Sequence, residues 1–291
     1  METVSFKALG TEWTLISDDR VFDESIQRSI LEKVALFEER FSRFKDTSEV
    51  NTFRNSPSVI YQVSDEFAVL LSRADRLRTL TAGHYDPASA VILEHMGYDK
   101  EYRFTPNQKA LPNISVWNIE DRELQISGPI TFDLGGIGKG YCIDMVAGIL
   151  ATAGYKHYLI DGGGDMYATT KADGNPYNIA LEWPGKPGVS YGTVRLCNQG
   201  LAVSDTATRR FGEHHHIVDA ETGANTKIVL GSVAHGATAW DADCATAAFM
   251  QWPNCDQTEV EKVLGVTSII ITQKEGFLVG ESWPGEIFTE A

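Results

Sequence analysis

The chain has 291 residues, of which 43% are hydrophobic, and a formal net charge of −15. This size and composition suffice for a large buried core, and the negative charge disfavours nucleic acid and anionic lipid surfaces as partners. No repeat, low-complexity segment or linker divides the sequence, so we expect a single domain over residues 1–291.

The N-terminal part is predicted to form a hairpin and two helices. Apolar and polar residues alternate on both sides of Gly10, which predicts two paired strands. Apolar residues then recur at helical spacing from Ile26 to Phe44. Ser64, followed by two acidic residues, is a typical N-cap, and the helix that it begins should end around Gly83.

The rest of the chain combines two predicted helices with several short strands. A third helix is predicted from residue 141 to Gly154, followed by a strand over HYLI. Further strands are predicted over YNIALEW, GTVRL, TSIIIT and FLVG, and a fourth helix over DADCATAAFM. This order of elements predicts an α+β fold with a largely antiparallel sheet.

The cysteines and the N-terminus indicate a cytoplasmic protein. Cys142, Cys197, Cys244 and Cys255 are scattered without a CxxC pair. Such scattered cysteines are typical of reduced thiols rather than of a disulfide framework or a zinc site. Because the first residues show neither a basic region nor an apolar run, we expect no signal peptide and no membrane insertion.

Two glycine-rich segments with flanking carboxylates are candidates for an anion site. In TFDLGGIGKGYCID, residues 131–144, glycines allow backbone N–H groups to approach a bulky anion, and Lys139 adds a full charge. A valine at Gly138 should block that approach. DGGGD, residues 161–165, follows the next strand, so both loops should meet over one ligand. The alternative is a tight turn with a solvated lysine, since the spacing matches neither common nucleotide motif.

A histidine cluster and an acidic cluster are ambiguous on spacing alone. In EHHHIVDAETG, His214 and His216 should share one strand face, so three adjacent histidines cannot all bind one metal. The histidines could belong to an exposed strand, or one of them could act as a general base or as a donor that contacts phosphate. Asp243 and Thr246 stand three residues apart at a helix start, where they could cap the helix or offer oxygens to a hard cation.

Eight segments spread over nearly the whole chain carry a resemblance to a known family: GTEWTL, FSRFKDTSEVN, GHYDPA, DLGGIGKGYCID, LIDGGGDMYA, LAVSD, HIVDAETG and ADCATAAF. Together and in this order they resemble the ApbE family, the FAD:protein FMN transferases. The resemblance implies the α+β T-fold-like domain of that family. It also implies an enzyme that binds FAD, holds Mg²⁺ at the pyrophosphate and transfers FMN to a threonine hydroxyl of a flavoprotein, releasing AMP.

The resemblance further implies roles for individual residues. His216 matches the motif histidine and is the candidate base, Asp219 would orient the turn or the histidine, and Lys139 would neutralise phosphate charge. The residues expected to contact FAD are Tyr85, Asp86, Gly135, Gly136, Gly138, Tyr141, Asp144, Gly162, Gly163, Gly164 and Ser204. The expected metal ligands are Asp243, Thr246 and a backbone carbonyl near Gly138, with Asp241 as the alternative carboxylate.

The sequence departs from the family pattern in three motifs. The substitutions are Ala220 and Glu221 for a Pro-Arg pair, Val203 and Asp205 for threonine and glycine of a TSG loop, and Ala242 for the metal-binding aspartate. They leave three functions open: an active FMN transferase, an FAD pyrophosphatase that produces FMN and AMP, and a non-catalytic FAD-binding relative. For the metal, either Asp243 or Asp241 replaces the missing ligand, or the site is weakened.

Overall fold

The computed structural model describes residues 1–57, 59–101, 103–105, 107, 109–212, 214–252, 254–274 and 276–288. Six α-helices lie within these residues: α1 (Glu24–Phe41), α2 (Asp65–Leu80), α3 (Ala90–His95), α4 (Gly138–Thr152), α5 (Ala239–Gln251) and α6 (Gln257–Leu264). Sixteen strands lie within the same ranges: β1 (Glu2–Ala8), β2 (Thr11–Ser17), β3 (Ile60–Gln62), β4 (Trp117–Glu120), β5 (Glu123–Ile126), β6 (Tyr158–Asp161), β7 (Met166–Ala168), β8 (Tyr177–Glu182), β9 (Ser190–Leu196), β10 (Gln199–Asp205), β11 (Arg210–Phe211), β12 (His214–His215), β13 (Val229–Gly236), β14 (Val266–Thr272), β15 (Gly276–Val279) and β16 (Gly285–Ile287).

The strands form one large sheet and three small ones. The large sheet has eight strands in the order β1-β2-β6-β7-β10-β13-β14-β15, and the small sheets have the orders β16-β9-β8, β3-β5-β4 and β11-β12. Every strand pair in the described residues is antiparallel. The predicted α+β class with a largely antiparallel sheet is confirmed.

Both faces of the large sheet are covered. Helices α4 and α5 pack on one face and contact β6, β7, β10 and β13. The sheet β16-β9-β8 covers the other face, where Tyr191 and Val194 pack with Leu201, Val233 and Ile269. Because both faces of β14 are covered, its three isoleucines 269–271 follow one another directly and are all buried, where a half-exposed strand would alternate.

Most predicted elements are present, with shifted ends. The first hairpin is confirmed, with Leu9 and Gly10 at positive φ in its turn. Helix α1 ends before Phe44, and α4 begins earlier than residue 141. Ser64 caps α2 by accepting a hydrogen bond from the Phe67 N–H at 3.2 Å. Helix α3 and strand β13 carry no clear periodic signal. Helix α6 carries one, with Val260, Val263 and Leu264 at helical spacing after the Asp256 cap, but it is not among the predicted elements.

The four cysteines are free, and none of the helices in the described ranges is both long and apolar enough to cross a membrane. Cys142 and Cys244 are buried in α4 and α5. The absence of disulfides among them agrees with the prediction from their spacing.

Candidate active site

A cavity of about 1220 Å³ lies at one end of the large sheet. Its walls come from the loop before α4, the turn after β6, strand β10 with the segment that follows it, and one side of α5. Cavities for small ligands typically measure about 300–1000 Å³, so this one can hold a ligand as large as a dinucleotide. Segments far apart in sequence therefore meet around one space.

Eleven of the residues expected at the site line this cavity: Tyr85, Asp86, Gly135, Gly136, Gly138, Lys139, Gly163, Gly164, Ser204, His216 and Asp243. Six do not: Tyr141, Asp144, Gly162, Asp219, Asp241 and Thr246. The expectation that the two glycine loops meet is confirmed.

Lys139 forms a buried ion pair with Asp165, the last residue of DGGGD. Asp165 is fully buried and also accepts a hydrogen bond from the Val203 N–H at 3.0 Å. Burial by itself would lower the pKa of Lys139, but Asp165 and Asp243 outweigh it and raise that pKa above its usual value. Lys139 is therefore a charged group on the cavity wall and not a solvated lysine.

The glycine amides have partners that the sequence did not predict. Gly135 N–H donates to Asp133 at 2.7 Å, and Gly163 and Gly164 N–H both donate to Asp161, at 2.9 and 2.8 Å. These are Asx turns, in which an aspartate accepts from amides two and three residues further on. The expectation that these amides cradle an anion is corrected: here they bind the chain's own carboxylates and shape the loops.

Gly140 lies at the contact between α4 and α5. Its N–H, in the first turn of α4, donates to Asp243 at 2.9 Å, so a carboxylate already occupies the positive end of this helix. A Cβ on Gly140 would lie 2.7 Å from the Ala239 carbonyl carbon, a contact that real side chains do not make. The glycine thus permits the contact between the two helices.

We expect Gly163→Ala to destabilise the protein and weaken ligand binding, whereas Gly138→Ala should be tolerated. Gly163 has φ of +80°, and its added Cβ would lie 2.9 Å from Thr11 Cβ. The Cβ of Gly138 would meet Phe37 ring atoms at 3.6 Å, an ordinary contact, so the fold itself tolerates a small side chain there. That a valine at this position blocks the approach of a ligand stays a prediction. Strain and overpacking should cost Gly163→Ala about 2 kcal/mol or more in urea unfolding. Equal losses of unfolding free energy in Gly163→Ala and Gly138→Ala would contradict this prediction.

Asp243 is the carboxylate on the α5 side of the cavity. It is almost fully buried, and burial together with the nearby Asp165 raises its pKa well above the usual value. Thr246 does not reach the cavity: its hydroxyl donates to the Asp243 carbonyl at 3.0 Å and accepts from Ser204 at 3.1 Å. Ser204 itself lines the cavity wall.

Asp241 points away from the cavity. It forms an ion pair with Arg73 and accepts a hydrogen bond from the Thr238 hydroxyl at 2.6 Å. Of the two alternative metal ligands, the structure therefore favours Asp243. Within the described ranges, no group of three or more His, Cys, Asp or Glu side chains forms a metal site.

The three adjacent histidines have three different environments. His214 contacts Asn225, and His215 contacts the Thr226 carbonyl at 3.0 Å. His216 lies just beyond the two-residue strand β12 and lines the cavity. His214 is absent from the cavity wall, so the expected shared face of His214 and His216 is not observed, because the strand ends before His216.

His216 is half-buried, and its imidazole is neutral with one buried ring nitrogen, Nδ1, that has no hydrogen-bond partner within the described part of the chain. Burial, with Arg209 as the largest charged contribution, lowers the pKa of His216 to about 3. The ring is therefore neutral throughout the physiological pH range, and the same desolvation makes it a weak base.

Asp219 contacts His84 instead of His216. Its Oδ1 lies 2.9 Å from His84 Nδ1 and accepts a hydrogen bond from the Glu221 N–H at 3.0 Å. The His84 ring stacks on Trp252. Of the two roles predicted for Asp219, the structure supports the orientation of the turn and not that of His216.

Tyr141 and Asp144 lie on the other side of α4 from Lys139. The Tyr141 hydroxyl donates to Glu66 at 3.2 Å, and Asp144 accepts from the Ala239 and Trp240 N–H groups at 3.0 and 2.9 Å. Burial raises the pKa of Asp144 to about 6 in spite of these bonds. Their assignment as FAD contacts is corrected, since the helical period turns them away from the cavity and Asp144 caps α5.

The wall opposite α5 is aromatic and contains residues that sequence reasoning missed. Tyr98 and Phe211 stack with centroids 5.6 Å apart. Beside them Arg43, which is buried, donates to Asp133 at 2.7 Å and to the Tyr98 carbonyl at 2.9 Å. Tyr85 is also buried on the wall, and its hydroxyl has no partner among the described residues. Arg43 lies within FSRF, a motif noticed only for its resemblance.

The fold and the cavity define a protein of the mixed α+β class with a large ligand site lined by a buried lysine, a neutral histidine and an aspartate. The sequence profile of the ApbE family matches residues 9–264, and the chain belongs to this family.

Relatives and solved structures agree with the family. A protein named FAD:protein FMN transferase from Haemophilus influenzae is 26% identical, over 99% of this chain and 91% of its own length. A protein of the same name from Vibrio cholerae is 27% identical, over 80% of this chain and 72% of its own length. The crystal structure of the ApbE protein from Thermotoga maritima superposes with a TM-score of 0.84 at 22% identity, covering 96% and 97% of the two chains. The structure of the flavin transferase ApbE from Vibrio cholerae superposes with a TM-score of 0.79 at 20% identity, covering 99% of this chain and 97% of the other.

Proposed function

We propose that this protein is an FAD:protein FMN transferase that attaches FMN through a phosphoester bond to a threonine hydroxyl of an acceptor flavoprotein. The observation that carries the proposal is the meeting of Lys139, His216 and Asp243 on one cavity of about 1220 Å³ in a chain of the ApbE family. We place the protein in the cytoplasm, since its four thiols are free.

The reaction exchanges one phosphorus–oxygen bond for another. The threonine Oγ bonds to the FMN phosphorus, the anhydride bond to the AMP phosphate breaks, and AMP leaves with the bridging oxygen. The hydroxyl proton passes to His216, whose ring is neutral and lines the cavity. Lys139 faces the phosphates and offsets the charge that develops on them.

FAD fits this cavity with its diphosphate near Lys139 and Arg209. Both cations line the wall, and Arg209 has no carboxylate partner within the described residues. The aromatic wall around Tyr98 and Phe211 offers a stacking surface for a flat ring system. The glycine loops hold Asp133 and Asp161 in Asx turns, where their carboxylates accept hydrogen bonds from the loop amides.

The residues present also fit a Mg²⁺ ion. Asp243 is a cavity-lining carboxylate with a raised pKa, which a cation would counteract, and Mg²⁺ typically binds one or two carboxylates together with substrate phosphates and water. Asp243 would hold the ion, with the Gly138 backbone next to it. Bound Mg²⁺ would supply charge neutralisation on the diphosphate.

Incubation with FAD and Mg²⁺, with and without purified candidate acceptor flavoproteins, tests the proposal. Transfer predicts AMP release that requires an acceptor and a covalently fluorescent acceptor on a denaturing gel. AMP together with free FMN in the absence of any acceptor would indicate a pyrophosphatase instead. Tight FAD binding without AMP would indicate a non-catalytic relative.

We expect activity to depend on Mg²⁺ and to require a high concentration of it. The reason is that Ala242 occupies the position of the family's metal-binding aspartate, so the carboxylate comes from the next residue, Asp243. Asp243→Asn should abolish the Mg²⁺ response of AMP release, whereas Asp241→Asn should keep it and lose some stability through its broken ion pair with Arg73. Titration of Mg²⁺ for both variants and wild type makes the comparison. Loss of the response only in Asp241→Asn would transfer the role to Asp241.

A further inference from the structure

We propose that the acceptor protein binds along the free edge of β8, as an added strand whose threonine enters the cavity. The proposal rests on the proposed transferase function and names the way in which the acceptor is recognised. The observations that lead to it are the open edge of β8, the course of the cavity along that edge and the packing of the turn that follows β8.

Strand β8 is the outer strand of the sheet β16-β9-β8. Within the described residues its backbone pairs only with β9, through a regular register from Tyr177 to Leu181. In an antiparallel strand, alternate residues direct their N–H and C=O groups to opposite edges, so β8 presents a row of unpaired groups on its outer side. Proteins usually protect such edges with charged residues or proline. In β8 such residues stand only at the ends: Pro176 precedes the strand, and Glu182 and Pro184 lie at its close. The central residues 178–181 are neither charged nor proline.

The cavity runs along this edge. Residues Ile179 and Leu181, whose side chains turn toward the core, line it, and so do Ala180 and Glu182, whose side chains are exposed. Because consecutive residues from both faces of β8 line the cavity, the cavity borders the edge of the strand and not only one of its faces. His216 and Lys139 line the same cavity. A polypeptide paired with β8 would therefore lie beside the proposed reacting groups.

The turn after β8 ties the edge to the catalytic wall. A Cβ built on Gly231 of β13 would lie 3.0 Å from Pro184, and one built on Gly185 would lie 3.1 Å from Ala207. The turn thus packs against the segment that follows β10, whose residues Ala207 and Arg209 line the cavity. These contacts hold the edge of β8 in place beside the cavity.

An extended acceptor segment suits this edge better than a second copy of the chain. Strand addition recognises a peptide through its main chain and turns alternate side chains in one direction, so a threonine can face the cavity while its neighbours face outward. A second copy paired along β8 would place folded protein at the cavity mouth and leave no entry for the acceptor hydroxyl. The occupant that the geometry favours is an extended, threonine-bearing segment of the acceptor.

The first experiment uses a bead-displayed library of short peptides, each with one central threonine, incubated with the protein, FAD and Mg²⁺. Flavin-fluorescent beads give sequences that are resynthesised with a single N-methyl group at each backbone position in turn. Strand addition predicts an alternating pattern: methylation at every second residue lowers kcat/KM about tenfold or more, and methylation between those positions has little effect. The insensitive positions are the matched controls.

The second experiment changes the enzyme edge. Adjacent residues point their N–H groups to opposite sides, so one of Ile179→Pro and Ala180→Pro removes an outward donor and the other disrupts the pairing with β9. The variant that keeps the wild-type melting curve should lose at least about tenfold in kcat/KM for the peptide. Leu278→Pro, on the outer strand β15 away from the cavity, should lose none.

Four results would overturn the proposal. A labelled peptide with uniform sensitivity to N-methylation would show recognition without strand pairing. Labelling of an intact acceptor flavoprotein with no peptide labelled would keep the transferase function and reject a linear docking segment. A stable dimer by sedimentation, lost in the edge variant, would assign β8 to a second copy. If FAD is not consumed under any condition, the proposed function fails and the docking proposal fails with it.

Discussion

His216→Asn is expected to abolish FMN transfer while FAD remains bound. A general base acts on the proton that moves in the transition state and contributes little to ground-state binding. Its loss typically costs about 10²–10⁴-fold in rate. Asparagine keeps a polar side chain of similar size, so the cavity should keep its shape. The FAD dissociation constant from fluorescence titration and the rate of acceptor labelling separate the two effects.

The pH dependence of the wild-type enzyme provides a second measurement on His216. Burial and Arg209 lower the pKa of His216 to about 3, so the free enzyme carries a neutral imidazole well below the usual histidine pKa of about 6.5. We therefore expect kcat/KM to show no acid limb centred near pH 6.5, since that profile reports groups of the free enzyme. An acid limb near 6.5 that disappears in His216→Asn would show that the ring is more solvated than the structure has it. Near wild-type labelling by the variant would remove His216 from the mechanism.

Lys139→Met is expected to reduce both stability and activity strongly. The substitution keeps the apolar stem of the side chain but leaves Asp165, which is fully buried, without its cationic partner. Removal of one member of a buried ion pair typically costs about 3–5 kcal/mol in the free energy of unfolding. Urea unfolding monitored by circular dichroism measures this loss directly.

The double variant Lys139→Met with Asp165→Asn is the control for this prediction. Asparagine is neutral and keeps an oxygen for the hydrogen bond from the Val203 N–H. Much of the lost stability should return, because no buried charge is left uncompensated, while AMP release should stay low without the lysine. If the double variant lost as much unfolding free energy as the sum of the losses in Lys139→Met and Asp165→Asn alone, the two side chains would not depend on each other.

Much of the fold follows from local patterns in the sequence. The apolar spacing of α1, the Ser64 cap of α2 and the alternation on both sides of Gly10 are properties of short segments, and the structure contains each of them. The order of eight motifs likewise indicated the family that the profile match over 9–264 establishes. Local backbone geometry determines helical and strand periods, so a single sequence can reveal them. Strand β13 escaped prediction because glycine, serine and histidine interrupt its apolar run.

Only the tertiary structure decided the partner of each charged side chain. Asp165 pairs with Lys139, Asp243 accepts from Gly140, and Asp144 caps a helix almost a hundred residues further along the chain. The motifs placed these carboxylates near a common site but could not distinguish a ligand contact from a cap or an Asx turn. That distinction depends on which groups share a desolvated space, and the packing of α4 and α5 on the large sheet determines that space. The sequence by itself determined the elements and the family; long-range packing determined which residues face the cavity.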